Sequence, residues 1–195
     1  MVIVSAPAGA AKVTAAGTVT CSYGTTMTFN PPLQAGIGSP AATGKSELVT
    51  MAPATIGSCT GSVTKGSIPT TGTNAKPIIV KVKANVFNRI HYVGGCLFFN
   101  AFQLQMKRTT LLWTVNSGVL KSSKVTPGSA SLGSNAEGNL GFALAGSGTG
   151  SFAGPTALDL YFDAPSTSAL QGCLAGSGTV STLTIDPTQS SISLG

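Results

Sequence analysis

The chain carries few residues able to do covalent chemistry. Among its 195 residues there is one histidine, His91, and five carboxylates: Glu47, Glu137, Asp159, Asp163 and Asp186. A Ser-His-Asp arrangement would have to use His91, yet the sequence has no Gly-x-Ser-x-Gly elbow to present a nucleophile. In the context Arg89-Ile90-His91-Tyr92 the imidazole reads as a strand histidine satisfied by a backbone carbonyl. A secreted hydrolase using His91 is therefore only the enzymatic alternative. Asp159 and Asp163 would lie about 13 Å apart on one face of a strand, too far for a retaining carboxylate pair. We assign no catalytic residue, cofactor or metal ligand.

The four cysteines, Cys21, Cys59, Cys96 and Cys173, show no short metal-ligand spacing. With a single histidine available, they read as two disulfides of an oxidising compartment, against the alternative of four buried thiols. Three pairings are open; we favour Cys21 with Cys59 and Cys96 with Cys173.

The net charge is +6, and no acidic residue lies between Glu47 and Glu137. That interval holds Lys65, Lys76, Lys81, Lys83, Arg89, Lys107, Arg108, Lys121 and Lys124. Such a section can attract polyanions, and Lys81, Lys83, Lys107 and Arg108 are the candidate contacts for an anionic cell-envelope polymer. The bland alternative is that scattered lysines keep a threonine-rich surface soluble and guard sheet edges. Nucleic acid fits less well, because stacking would need exposed aromatics and these are only 6% of a chain whose core requires them.

The elements that must position these residues are strands. Charged residues are 8% and apolar ones 42%, with 25 glycines, which excludes a disordered chain and a helical bundle. Val19, Cys21 and Tyr23 alternate with Thr18, Thr20 and Ser22. Met27 and Phe29 resume the pattern, and Asn30-Pro31-Pro32 is expected to end it. Further strands are expected at Glu47 to Cys59 with a bulge at Pro53, at Ser62 to Ile68, and at Ile78 to Phe87 with Lys81 and Lys83 on its solvated face. More follow at Arg89 to Phe102, Thr109 to Val115 with Trp113 as a core anchor, and Gly118 to Val125. The last are Phe142 to Leu144, Leu158 to Phe162 and Thr179 to Ile185. No helical period of useful length is expected. Leu144 to Thr149 and Leu174 to Thr179 repeat one Leu-Ala-Gly-Ser-Gly-Thr sequence, read as loop-to-strand entries.

The expected fold is all-β, an antiparallel β-sandwich or flattened barrel of about 8–10 strands forming a single domain over residues 13–195. Residues 1–12 read as a residual signal peptide or a disordered arm. No apolar run reaches the length of a membrane helix.

The segments Thr-Val-Thr-Cys21-Ser-Tyr-Gly, Thr-Phe29-Asn-Pro-Pro-Leu33, Ile-Gly-Ser-Cys59, Gly-Cys96-Leu, Gly-Ser-Phe152-Ala-Gly154 and Gly-Cys173-Leu together resemble a recurring set of exported actinobacterial proteins of unknown role. The likeness spans about residues 15 to 185. It implies a secreted, disulfide-linked β-sandwich and hands over no catalytic residue. The loop from Lys65 to Pro77 and the basic middle depart from that pattern. The functional expectation is a non-catalytic secreted or cell-surface protein, binding an anionic envelope polymer or self-assembling through sheet edges as a homo-oligomer. A carrier of a small apolar ligand is the other alternative.

Overall fold

The computed structural model describes residues 11–36, 39–40, 48–75, 78–84, 92–93, 95–96, 102–106, 109–116, 118–130 and 132–195. In chain order the strands begin with β1 (Ala16–Gln34), β2 (Ser39–Pro40), β3 (Leu48–Met51), β4 (Thr55–Lys65), β5 (Thr71–Asn74) and β6 (Ile78–Ala84). They continue with β7 (Tyr92–Val93), β8 (Phe102–Met106), β9 (Thr109–Thr114), β10 (Ser123–Pro127), β11 (Ser129–Ala130), β12 (Leu132–Ser134), β13 (Leu140–Gly150) and β14 (Gly154–Tyr161). One helix, α1 (Ala164–Leu174), precedes β15 (Thr179–Ile185) and β16 (Ser191–Leu194).

Eight of these strands close a ring. Every neighbouring pair around the sequence β1, β4, β5, β9, β10, β13, β14, β16 is antiparallel, and β16 returns to β1 through Val19 opposite Leu194. Ring order is chain order, so the all-β expectation resolves to an up-and-down barrel with excursions inserted between its staves. Period-2 alternation fills the lumen. Val19, Cys21 and Tyr23 point inward from β1, Leu111 and Trp113 from β9, Leu158 and Leu160 from β14, and Ile192 and Leu194 from β16, all buried. An eight-stranded barrel is just wide enough to be filled this way. Where two staves must come closest the sequence has glycine: a Cβ on Gly146 would lie 2.6 Å from the Thr126 carbonyl oxygen and 2.8 Å from Pro127 Cα.

The rim where β1 begins is plugged by the Ser151-Phe152 turn. Phe152 N–H donates to the Ala15 carbonyl at 2.9 Å, and Ala15 N–H donates to Ser151 Oγ at 3.2 Å. The Phe152 ring meets Trp113 edge-on at 6.0 Å between centroids. The Trp113 indole N–H donates to Ser123 Oγ at 2.8 Å, and that hydroxyl donates to the Ser151 carbonyl. Trp113 is thus the core anchor that the alternation predicts.

Beyond the other rim β1 runs on into an outer sheet of order β15-β1-β3-β6-β8-β11. The expected stop at Asn30-Pro31-Pro32 does not occur. The β1–β15 register instead shifts between Thr28 and Leu33, a bulge that takes up residues unable to donate to the ladder. The strand expected to continue past Pro53 from Glu47 to Cys59 is instead broken there: β3 ends at Met51 and β4 starts at Thr55, the chain crossing from outer sheet to barrel. Helix α1, which the sequence reading missed, packs on β15. Asp163 caps it by accepting from Ser166 N–H at 2.8 Å, and its buried face is Ser166, Thr167, Leu170 and Cys173. Two of those four residues are hydroxylic, so no apolar period announced it. Leu144 to Thr149 is also not a loop entry but the interior of β13; only its second copy leads from the end of α1 into a strand.

Both favoured disulfides are present. Cys21 and Cys59 face each other across β1 and β4, with Cα atoms 4.0 Å apart, and Cys96–Cys173 ties α1 to the segment that bridges from Gly95 to Gln34. Among the described residues no helix is long and apolar enough to cross a membrane.

Candidate anion-binding rim

The residues singled out from sequence fall in different places. Lys81 and Lys83 occupy alternate positions of β6 in the outer sheet, Lys81 opposite Leu48 and Gln105 and Lys83 opposite Gln103. Lys107, Arg108 and His91 lie outside the described residues, as do residues 1–10 of the expected arm, residues 85–87 of the strand expected from Ile78 to Phe87, and much of the segment expected from Arg89 to Phe102. Asp159 and Asp163, rejected from sequence as a catalytic pair, do not share one strand face as expected there. Asp159 is in β14, whereas Asp163 follows the end of that strand and serves as the helix cap. Among the described residues no group of three or more His, Cys, Asp or Glu side chains could hold a metal ion.

The structure gathers a different set of lysines. Residues 12–14 lie alongside Gly118 to Lys121, Val13 N–H donating to the Val119 carbonyl and Lys121 N–H to the Val13 carbonyl, each at 2.9 Å. Lys12, Lys121 and Lys124 are exposed and line one cleft of about 310 Å³ together with Ser122, Thr149 and Gly150. Lys65, opposite Ala16, ends β4 on the same rim. Lys121 and Lys124 belong to the basic interval visible in the sequence. Sequence alone places Lys12 in the arm, and only the backbone bonds of Val13 reveal that it sits on the barrel.

The described side-chain carboxylates lie toward the far end. Asn135 and Asn139 side chains both donate to Gln189 Oε1, at 3.0 and 2.7 Å, joining the Glu137 turn to the turn after Asp186. Asp163 N–H donates to the Thr184 carbonyl at 3.0 Å and Asp186 N–H to the Tyr161 carbonyl at 2.9 Å. Along β13 the two rims are separated by about 30 Å of strand, and Asp159 lies about 17 Å of strand from the start of β14. Both exceed the screening length of about 8 Å at physiological salt, so these carboxylates do not neutralise the lysine rim.

Inside the barrel, Tyr23 Oη, both polar atoms of the Asn74 amide and Thr156 Oγ1 are buried without a hydrogen-bond partner. Burial pushes the Tyr23 phenol above its ordinary range, keeping it neutral. These atoms lie among the side chains that fill the barrel. No protein-family model matches the chain, nor does any curated protein or solved structure.

Proposed function

We propose that this chain is an exported, non-catalytic barrel whose lysine rim binds an anionic component of the cell envelope. The observation that carries the reading is the convergence of Lys12, Lys121 and Lys124 on one cleft, with every described side-chain carboxylate toward the opposite rim. Two disulfides suit an oxidising compartment. The scarcity of acid, base and nucleophile combinations in the sequence favours binding over catalysis. Lys81 and Lys83 on β6 form the competing contact surface.

Titration with a soluble polyphosphate at rising salt tests this. Binding is expected to weaken steeply up to about 0.15 M salt. The double variant Lys121→Gln/Lys124→Gln is expected to lose at least tenfold in affinity, while Lys81→Glu/Lys83→Glu keeps it. The reverse pattern would move the site to the outer sheet, and salt-insensitive binding or none would remove the reading.

A further inference from the structure

We infer that the anionic component is a lipid bilayer, met end-on by this rim. The inference rests on the proposed anion binding and names its partner. Four large apolar residues are exposed among the described ones, and three lie beside the lysines: Val13 at 39%, Ile68 at 38% and Val119 at 41%. Val13 and Val119 line a shallow recess of about 270 Å³ with Gly66, Ser67, Gly118 and Leu120, and Ile68 follows Ser67 directly. This recess and the lysine cleft adjoin, because Lys12 precedes Val13 and Lys121 follows Leu120.

A soluble polyanion would contact the ammonium groups and leave these side chains in water. A membrane interface takes both, with apolar tips entering the headgroup and acyl boundary while flanking lysines meet anionic phosphates. Presentation is fixed by the two backbone hydrogen bonds between Val13 and Val119–Lys121 and by the positive φ of Gly66 (92°) and Gly118 (73°), which form the turns behind the tips. The far rim, with its carboxylates, then faces away from the surface that would repel it.

Co-sedimentation with vesicles of phosphatidylcholine, with and without about one-third phosphatidylglycerol, reads this directly. The protein is expected to partition onto the anionic vesicles only. Ile68→Ser/Val119→Ser, at exposed positions that the fold does not need, is expected to lower that partitioning about tenfold and leave polyphosphate binding unchanged. Lys121→Gln/Lys124→Gln should lower both, about fivefold per lysine on vesicles. Val119→Trp adds a reporter to a chain whose sole tryptophan is buried, and its emission should shift to the blue on anionic vesicles. Polyphosphate binding without vesicle binding overturns the bilayer, and vesicle binding indifferent to Ile68→Ser/Val119→Ser overturns docking through these apolar tips; either leaves the anion-binding reading standing. Failure to bind either probe overturns both.

Discussion

In the barrel each of the eight staves has hydrogen-bonded neighbours on both sides, whereas the outer sheet ends in two edges, β11 and β15. The β15 edge is covered by α1: Thr184 N–H donates to Ser166 Oγ at 2.8 Å, and its carbonyl accepts from Asp163 N–H. β1 runs through both parts and each part has one disulfide. In the barrel the bond joins strands that the ladder already pairs; in the outer part it joins α1 to Cys96, beside the bridge from Gly95 to Gln34. Closure secures the first region and a covalent clamp the second. The same contrast bears on self-association: with β15 capped by α1, β11 is the edge of the outer sheet left for pairing with another chain.

The sharpest way to break this contrast is to remove the clamps separately. Cys96→Ala/Cys173→Ala should cost about 4.5 kcal/mol and Cys21→Ala/Cys59→Ala about 3.9 kcal/mol, by the loop each closes in the unfolded chain. Hydrogen exchange should locate the difference. The former is expected to deprotect α1 and β15 while β13 and β14 stay slow, and the latter to leave α1 unchanged. Equal deprotection everywhere would mean the two regions are one cooperative unit.

Ser123→Ala comes next, at about 2 kcal/mol in denaturant unfolding, since it strands the buried Trp113 indole N–H. Smallest, and of opposite sign, is Tyr23→Phe. It removes a buried hydroxyl that has no partner, so the variant should gain about 1 kcal/mol at neutral pH. It should also gain at high pH. A phenol whose folded pKa is raised contributes stability fully present below its unfolded pKa of about 10, lost progressively as pH rises above that value. The alkaline unfolding limb should therefore move up in Tyr23→Phe.

Much of the fold was legible because strand periodicity needs only local alternation. β1, β9 and β15 follow from it, whereas alternation leaves three cysteine pairings open and the structure selects the favoured one. The misses share a physical cause: they depend on partners distant in the chain. β13 runs through Gly146-Ser147-Gly148 because close approach of Pro127 and Thr156 demands small residues, and in isolation that stretch reads as a loop. β16 is a four-residue alternation, Ser-Ile-Ser-Leu, that means little until two staves flank it. The site was half visible. The acid-free interval flagged Lys121 and Lys124, yet nothing local joins Lys12 to them, and charge density alone drew attention to Lys81 and Lys83.

The ring closes between its first stave and its last. Until Ser191–Leu194 takes its place, Val19–Ser22 and Thr156–Asp159 remain two unpaired edges of an otherwise assembled sheet. Contacts this distant in sequence make folding slow, and the barrel cannot be completed while the ribosome is still adding those residues. A chain interrupted just short of them would carry nearly the whole apolar lumen with an open seam, and its natural partner would be the seam of another such chain.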